Sequence, residues 1–138
     1  MQLNAKVLMT LSALVMGLAG MTFSFLPDEI LSYLSPTTGT SSEALIFQIL
    51  GALYFAFSMV NWTAKANLIG GIYGRPIAIG NLCHFTMGAL ALIKGYFSSH
   101  DIVILASSAI YSVFAILFTI VFFRHPFRAK LNNLPNNT

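Results

Sequence analysis

Residues 101–130 read DIVILASSAIYSVFAILFTIVFFRHPFRAK. One acid opens the stretch, no charge interrupts it from Ile102 to Phe123, and Arg124, Arg128 and Lys130 close it. A helix crossing a hydrocarbon core about 30 Å thick needs roughly 17–25 such residues. Basic residues are retained on the cytoplasmic side, so this stretch predicts a span with Asp101 outside and its Arg/Lys end inside.

Working back along the chain, three further stretches lack Asp, Glu, Lys and Arg over a comparable length: 7–26, 44–63 and 77–93. The charges between them alternate by sign. Asp28, Glu29, Glu43 and Asp101 fall in the first and third gaps. Lys6, Lys65, Arg75, Arg124, Arg128 and Lys130 fall at the start, in the second gap and at the end, leaving Lys94 as the exception. This pattern predicts four spans with both termini in the cytoplasm. A segment in lipid must satisfy its own backbone hydrogen bonds, and no stretch alternates polar with apolar as barrel strands do, so each span is expected to be a helix. The predicted fold is an all-α, integral membrane, up-and-down four-helix bundle forming a single domain in the cell's inner membrane.

Composition agrees. Charged residues make up 8% of the 138 and hydrophobic ones 57%, whereas a soluble domain carries about 25% charge. The net charge of +3 does not point to nucleic acid, because the basic residues stand singly beside apolar runs with no interleaved aromatic patch. Membrane lipid is the partner they suit. The first run imitates a secretory signal, with Lys6 before it and Leu18-Ala19-Gly20 within it. Its apolar character continues through Phe23, Phe25 and Leu26, so it is expected to be retained as a helix. Pro27, Pro76 and Pro126 punctuate the runs without entering their interiors, which predicts largely unkinked helices.

The gaps carry local signals. Pro27-Asp28-Glu29, followed by Ile30, Leu31 and Leu34, predicts a short interfacial helix over about 27–35, with acids at the positive end of its dipole. Ser35 to Gly39 reads as a turn, and Thr40 with Glu43 as a capping box for the second span. Gly70, Gly71 and Gly74 lie near Arg75 without the Gly-Lys-Ser/Thr ending or preceding strand of a phosphate loop, so they read as a connector. Trp62 near Lys65 and Tyr73 near Arg75 read as headgroup-level anchors. The Asn-rich end after Lys130 is too short and polar to fold alone. Two glycosylation-type triplets, at Asn61 and Asn136, fall at membrane depth and on the cytoplasmic side, where neither would be modified.

Inside the first run Ala13, Gly17, Gly20 and Ser24 recur at intervals of four, three and four, a narrow stripe for close helix approach. Packing within the chain and packing between subunits would both use it, the former being commoner in helical membrane bundles. Either predicts that Gly17→Leu disrupts folding or assembly.

The same lack of intramembrane charge narrows the function. Small four-helix exporters of cationic drugs need a carboxylate within the membrane, and dual-topology fluoride channels keep a weak charge bias; this chain departs from both. What remains at depth is neutral and polar. His84 lies roughly 13 Å past Arg75 along an ideal helix, with Asn81 a turn before it and Gly88 a turn after. Tyr54, Ser58, Asn61 and Lys65 form a polar stripe on the second run, Tyr111 lies at a matching depth on the fourth, with Ser107 a turn above, and Gln48 nearer the outside. His84, Tyr54, Asn81, Tyr111, Gln48 and Ser58 are therefore the candidate ligand-binding residues. The alternative for His84 is a plain hydrogen bond to a neighbouring helix.

Neither bis-histidine haem ligation within one chain nor a zinc site fits this layout. His100 is placed outside and His125 at the cytoplasmic edge, so no second histidine shares the depth of His84 for a paired axial ligation. Cys83 adjoins His84 but points elsewhere on the helix, and no zinc set assembles. Being the sole cysteine, it allows no intrachain disulfide. No nucleophile, base and acid occur together, so no catalytic residue is assigned, and no cofactor is named by these residues.

Two segments carry a resemblance. Phe25-Leu26-Pro27-Asp28 closes the first run, and Ile49-Leu50-Gly51-Ala52-Leu53-Tyr54 leads to a second ending near Trp62. In these, and in its layout, the chain resembles the small bacterial four-helix membrane proteins of the DoxX-like type and related uncharacterised families. The resemblance implies a compact up-and-down bundle and, for some relatives, association with redox or quinone-linked systems; it transfers no catalytic residue. The reading is a non-enzymatic accessory or assembly partner of a larger membrane system, with a homo-oligomer as one form it could take. The alternative is a binder or carrier of a small apolar molecule, a lipid or quinone, around His84.

Overall fold

The computed structural model describes residues 5–34, 41–66 and 74–124. The described residues form five helices: α1 (Ala5–Phe25), α2 (Pro27–Leu34), α3 (Ser41–Ala64), α4 (Gly74–Ser99) and α5 (Ile102–Arg124). Four of them, α2 excepted, are long and apolar enough to cross a membrane. The expected turn at Ser35 to Gly39, Thr40 of the capping box, Gly70, Gly71, Tyr73 and everything from His125 onward lie outside the described residues.

The helices overrun the charge-free stretches, because a charge does not stop a helix. Lys94 was the predicted limit of the third span, yet α4 runs on to Ser99 with Lys94 exposed on its surface. A long side chain can carry its ammonium outward while its stem stays along the helix. Termination comes at His100, whose φ of 54° is left-handed and whose N–H donates to the Tyr96 carbonyl at 2.8 Å. Asp101 then starts α5, its Oδ1 accepting the Val103 N–H at 2.7 Å as an N-cap. At the other junction helical bonding passes through Leu26, which donates to Thr22 and accepts from Ile30. Pro27 stands at the first position of α2, where a missing N–H costs nothing, and Asp28 and Glu29 occupy its first turn. Pro27 and Leu31 are the buried residues of α2, while Leu34 is exposed.

The chain divides into two compact units. One spans Met9–Lys65 and holds most of α1 with α2 and α3; the other holds α4 and α5. In the first, contacts of α1 move backward along α3: Ser12 meets Asn61, Ala13 meets Ser58, and Ser24 meets Gly51. The two helices therefore run in opposite directions. In the second, His84 and Phe85 meet Tyr111, Phe85 stacks on Phe114 and Phe118, and Gly95 faces Ile104, so α4 and α5 are opposed as well.

Buried residues include aromatic, aliphatic and small side chains, among them Phe85, Phe118, Met16, Val121 and Ser12, while much of the exterior is apolar. Phe85 and Phe118 are fully buried, whereas Leu18, Phe25, Ile46, Leu53, Met87 and Ile116 are among many large apolar side chains left exposed. In water, leaving apolar area uncovered forfeits about 25 cal/mol per Å². Lipid removes that cost.

Candidate functional site

The α1–α3 contact is built around absent side chains. A Cβ on Gly20 would lie 2.7 Å from the Phe55 nitrogen and 2.9 Å from the Gly51 carbonyl oxygen; one on Gly51 would lie 2.6 Å from the Ser24 nitrogen and 2.7 Å from the Gly20 oxygen. Backbone meets backbone there. A turn away, a Cβ on Gly17 would lie 2.9 Å from Ser58 Oγ, the hydroxyl that donates to the Ala13 carbonyl at 2.6 Å. The stripe Ala13, Gly17, Gly20, Ser24 thus lies against α3 of the same chain. Its counterpart Gly51 was missed, since a glycine inside an apolar run gives no periodic signal of its own.

Polar groups of this contact are buried and mutually bonded. Asn61 and Ser12 are fully buried, and Asn61 Nδ2 donates to Ser12 Oγ at 3.1 Å and lies 3.8 Å from the Met16 sulfur. Ser12 in turn donates to the Met9 carbonyl at 3.0 Å. Interhelical bonds of this kind within a membrane contribute on average about 0.6 kcal/mol, so their greater effect is to fix register. The stripe expected on α3 is therefore divided. Ser58 and Asn61 turn onto α1, the Tyr54 ring packs edge-on against Phe23 at 5.5 Å, and Lys65 holds its Nζ 3.0 Å from the centre of the Trp62 ring. Gln48 is exposed.

His84 belongs to the other unit. Its Nε2 lies 3.4 Å from the Tyr111 hydroxyl, the long end of hydrogen-bond range, and the two rings are 5.6 Å apart and tilted. Gly88 makes this possible. A Cβ there would lie 2.5 and 2.6 Å from Cε1 and Cδ1 of Tyr111, so the tyrosine ring occupies the space over Gly88 and its hydroxyl reaches one turn back to His84. Phe85 packs edge-on against Tyr111 at 5.3 Å and stacks on Phe114 at 4.8 Å. Asn81, also fully buried, donates to the Ile77 carbonyl of its own helix at 2.9 Å. Ser108, rather than the neighbouring Ser107, is the buried serine of α5, and it donates to the Leu105 carbonyl at 2.8 Å.

Of the six candidate binding residues, His84 and Tyr111 are in direct contact. Tyr54 and Ser58 serve the α1–α3 contact, Asn81 returns to its own backbone, and Gln48 faces outward. Among the described residues no group of three or more His, Cys, Asp or Glu could hold a metal ion, and Cys83 is exposed. No buried side-chain nitrogen or oxygen among them lacks a hydrogen-bond partner. The arrangement supplies an imidazole–phenol pair, whose donor depends on the imidazole tautomer.

Compared with known proteins, the chain matches no family model, no curated protein and no solved structure.

Proposed function

We propose that this chain is a non-enzymatic, multi-pass protein of the cell's inner membrane, an up-and-down four-helix bundle with both termini cytoplasmic. Its role is that of an accessory or assembly partner of a larger membrane system. One observation carries the reading: buried polar atoms of the described residues are all bonded within the chain, while the four long helices carry large apolar side chains outward. A binding site for a polar-headed ligand would hold polar groups in reserve. A protein that works through its flanks holds them satisfied.

His84 supports the same reading, because its partner is Tyr111 on the neighbouring helix. The extramembrane gaps are short, so partners are met in the bilayer or at its surface. The resemblance to DoxX-like proteins adds a class of partner, redox or quinone-linked membrane systems.

Native mass spectrometry of gently extracted protein tests this. The expected spectrum contains the chain with lipid, as multiple copies or with another membrane protein. A stoichiometric small apolar molecule that is lost in His84→Phe would overturn the reading in favour of a carrier.

A further inference from the structure

We propose that the outward face of α3 is the contact with a second copy of this chain, with Gln48 paired to the partner's Gln48. Leu45, Gln48, Ala52, Phe55, Met59 and Trp62 follow one another at intervals of three, four, three, four and three, and all six are exposed. That spacing is the 3.5-residue repeat by which two helices pack side by side along a shared seam. α3 packs on α1 through Gly51, Ser58, Asn61 and the backbone of Phe55, while the Leu45, Gln48, Ala52, Met59 and Trp62 side chains and the Phe55 ring are left exposed.

Gln48 identifies the occupant. α3 has 24 residues and is about 36 Å long, against a hydrocarbon core of about 30 Å. Gln48 lies about 10 Å along it from Ser41, some way inside the hydrocarbon rather than at its edge. No described group takes up its carboxamide. An amide facing lipid tails forfeits the hydrogen bonds it had in water. A carboxamide carries one donor group and one acceptor group, so it is its own complement. Two copies inserted in the same orientation, as the charge alternation directs, bring identical residues to identical depth. A parallel pair about a two-fold axis then places amide against amide, and Ala52, one turn on, lets the backbones approach. A partner of unrelated sequence would need a polar group at that one depth; a second copy has it by symmetry.

This inference rests on the membrane orientation proposed above, and its test separates the two. The full chain is reconstituted in phosphatidylcholine–phosphatidylglycerol vesicles, and dimerisation is read by energy transfer between labelled copies. Dimers are expected, with dissociation raised about tenfold or more in Gln48→Leu and largely restored in Gln48→Asn. In a Cys83→Ser background, Gln48→Cys is expected to form an intermolecular disulfide, and Ile46→Cys, exposed on the opposite side of α3, is not. Unchanged association in Gln48→Leu, or equal cross-linking at positions 46 and 48, overturns the proposal. Sided labelling on the same vesicles reports orientation independently, so a wrong orientation and a wrong interface give different results.

Discussion

Gly20 and Gly51 face each other where α1 and α3 cross, and the backbone of each fills the space that a Cβ on the other would need. Although the Ser24 hydroxyl also crowds Gly51, main-chain nitrogen and oxygen obstruct both positions, so no side-chain rotation alone relieves a substitution. The helices must separate. Gly20→Ala and Gly51→Ala are each expected to cost about 1–3 kcal/mol, the range for forcing an added carbon into a packed contact. Gly95→Ala is the control, since its nearest new neighbour is Ile104 Cγ2 at 3.9 Å. Thermal unfolding in detergent should show a lower midpoint for the first two and none of that loss for the third.

Gly17 differs from Gly20 in what it faces. Its Cβ would meet the Ser58 hydroxyl, which can move only by giving up its bond to Ala13. Gly17→Ala should therefore cost stability in the native background and cost less, or nothing, once Ser58→Ala has removed the hydroxyl. A double-mutant cycle should return a coupling of about 0.5–1 kcal/mol. Independent effects would show that Gly17 and Ser58 do not share the space. Gly17→Leu is too large for either background.

At the other contact, Gly88 is the seat of Tyr111, and Tyr111 is the partner of His84. Tyr111→Phe removes one long hydrogen bond and should lower stability by less than about 1 kcal/mol. Gly88→Ala displaces the whole ring and should cost more. His84→Phe should leave the fold intact, judged by circular dichroism and by elution volume on gel filtration. The order Gly88→Ala worse than Tyr111→Phe is the result to check by thermal unfolding; the reverse order would mean that the hydrogen bond, and not the ring packing, holds α4 to α5.

The long helices were legible because lipid-compatible length and absence of charge are properties of the residues themselves. The limits of α5 lie within one residue of its charge-free run, but the end of α4 was not legible, since it is set by backbone geometry: His100 in its left-handed conformation ends α4, while Lys94 has no part in it. The α1 stripe was legible from spacing, but Gly51 was not, because an approach surface is defined by two helices and the sequence displays one at a time. For the same reason the α3 polar stripe could be seen without its division into Ser58 and Asn61 facing α1, Tyr54 against Phe23, and Lys65 over Trp62. His84 was singled out by depth. Its pairing with Tyr111 depends on the ring seated over Gly88, a tertiary fact.

In the proposed topology the acidic gaps lie on one side of a membrane and the basic ends on the other. Single cysteines placed by Glu29→Cys and Arg128→Cys, each with Cys83→Ser, can be labelled with a membrane-impermeant maleimide in intact cells and again after lysis. Cys at position 29 is expected to react from outside, and Cys at position 128 only after lysis. Reaction of both under the same condition would contradict the four-span topology and every depth derived from it.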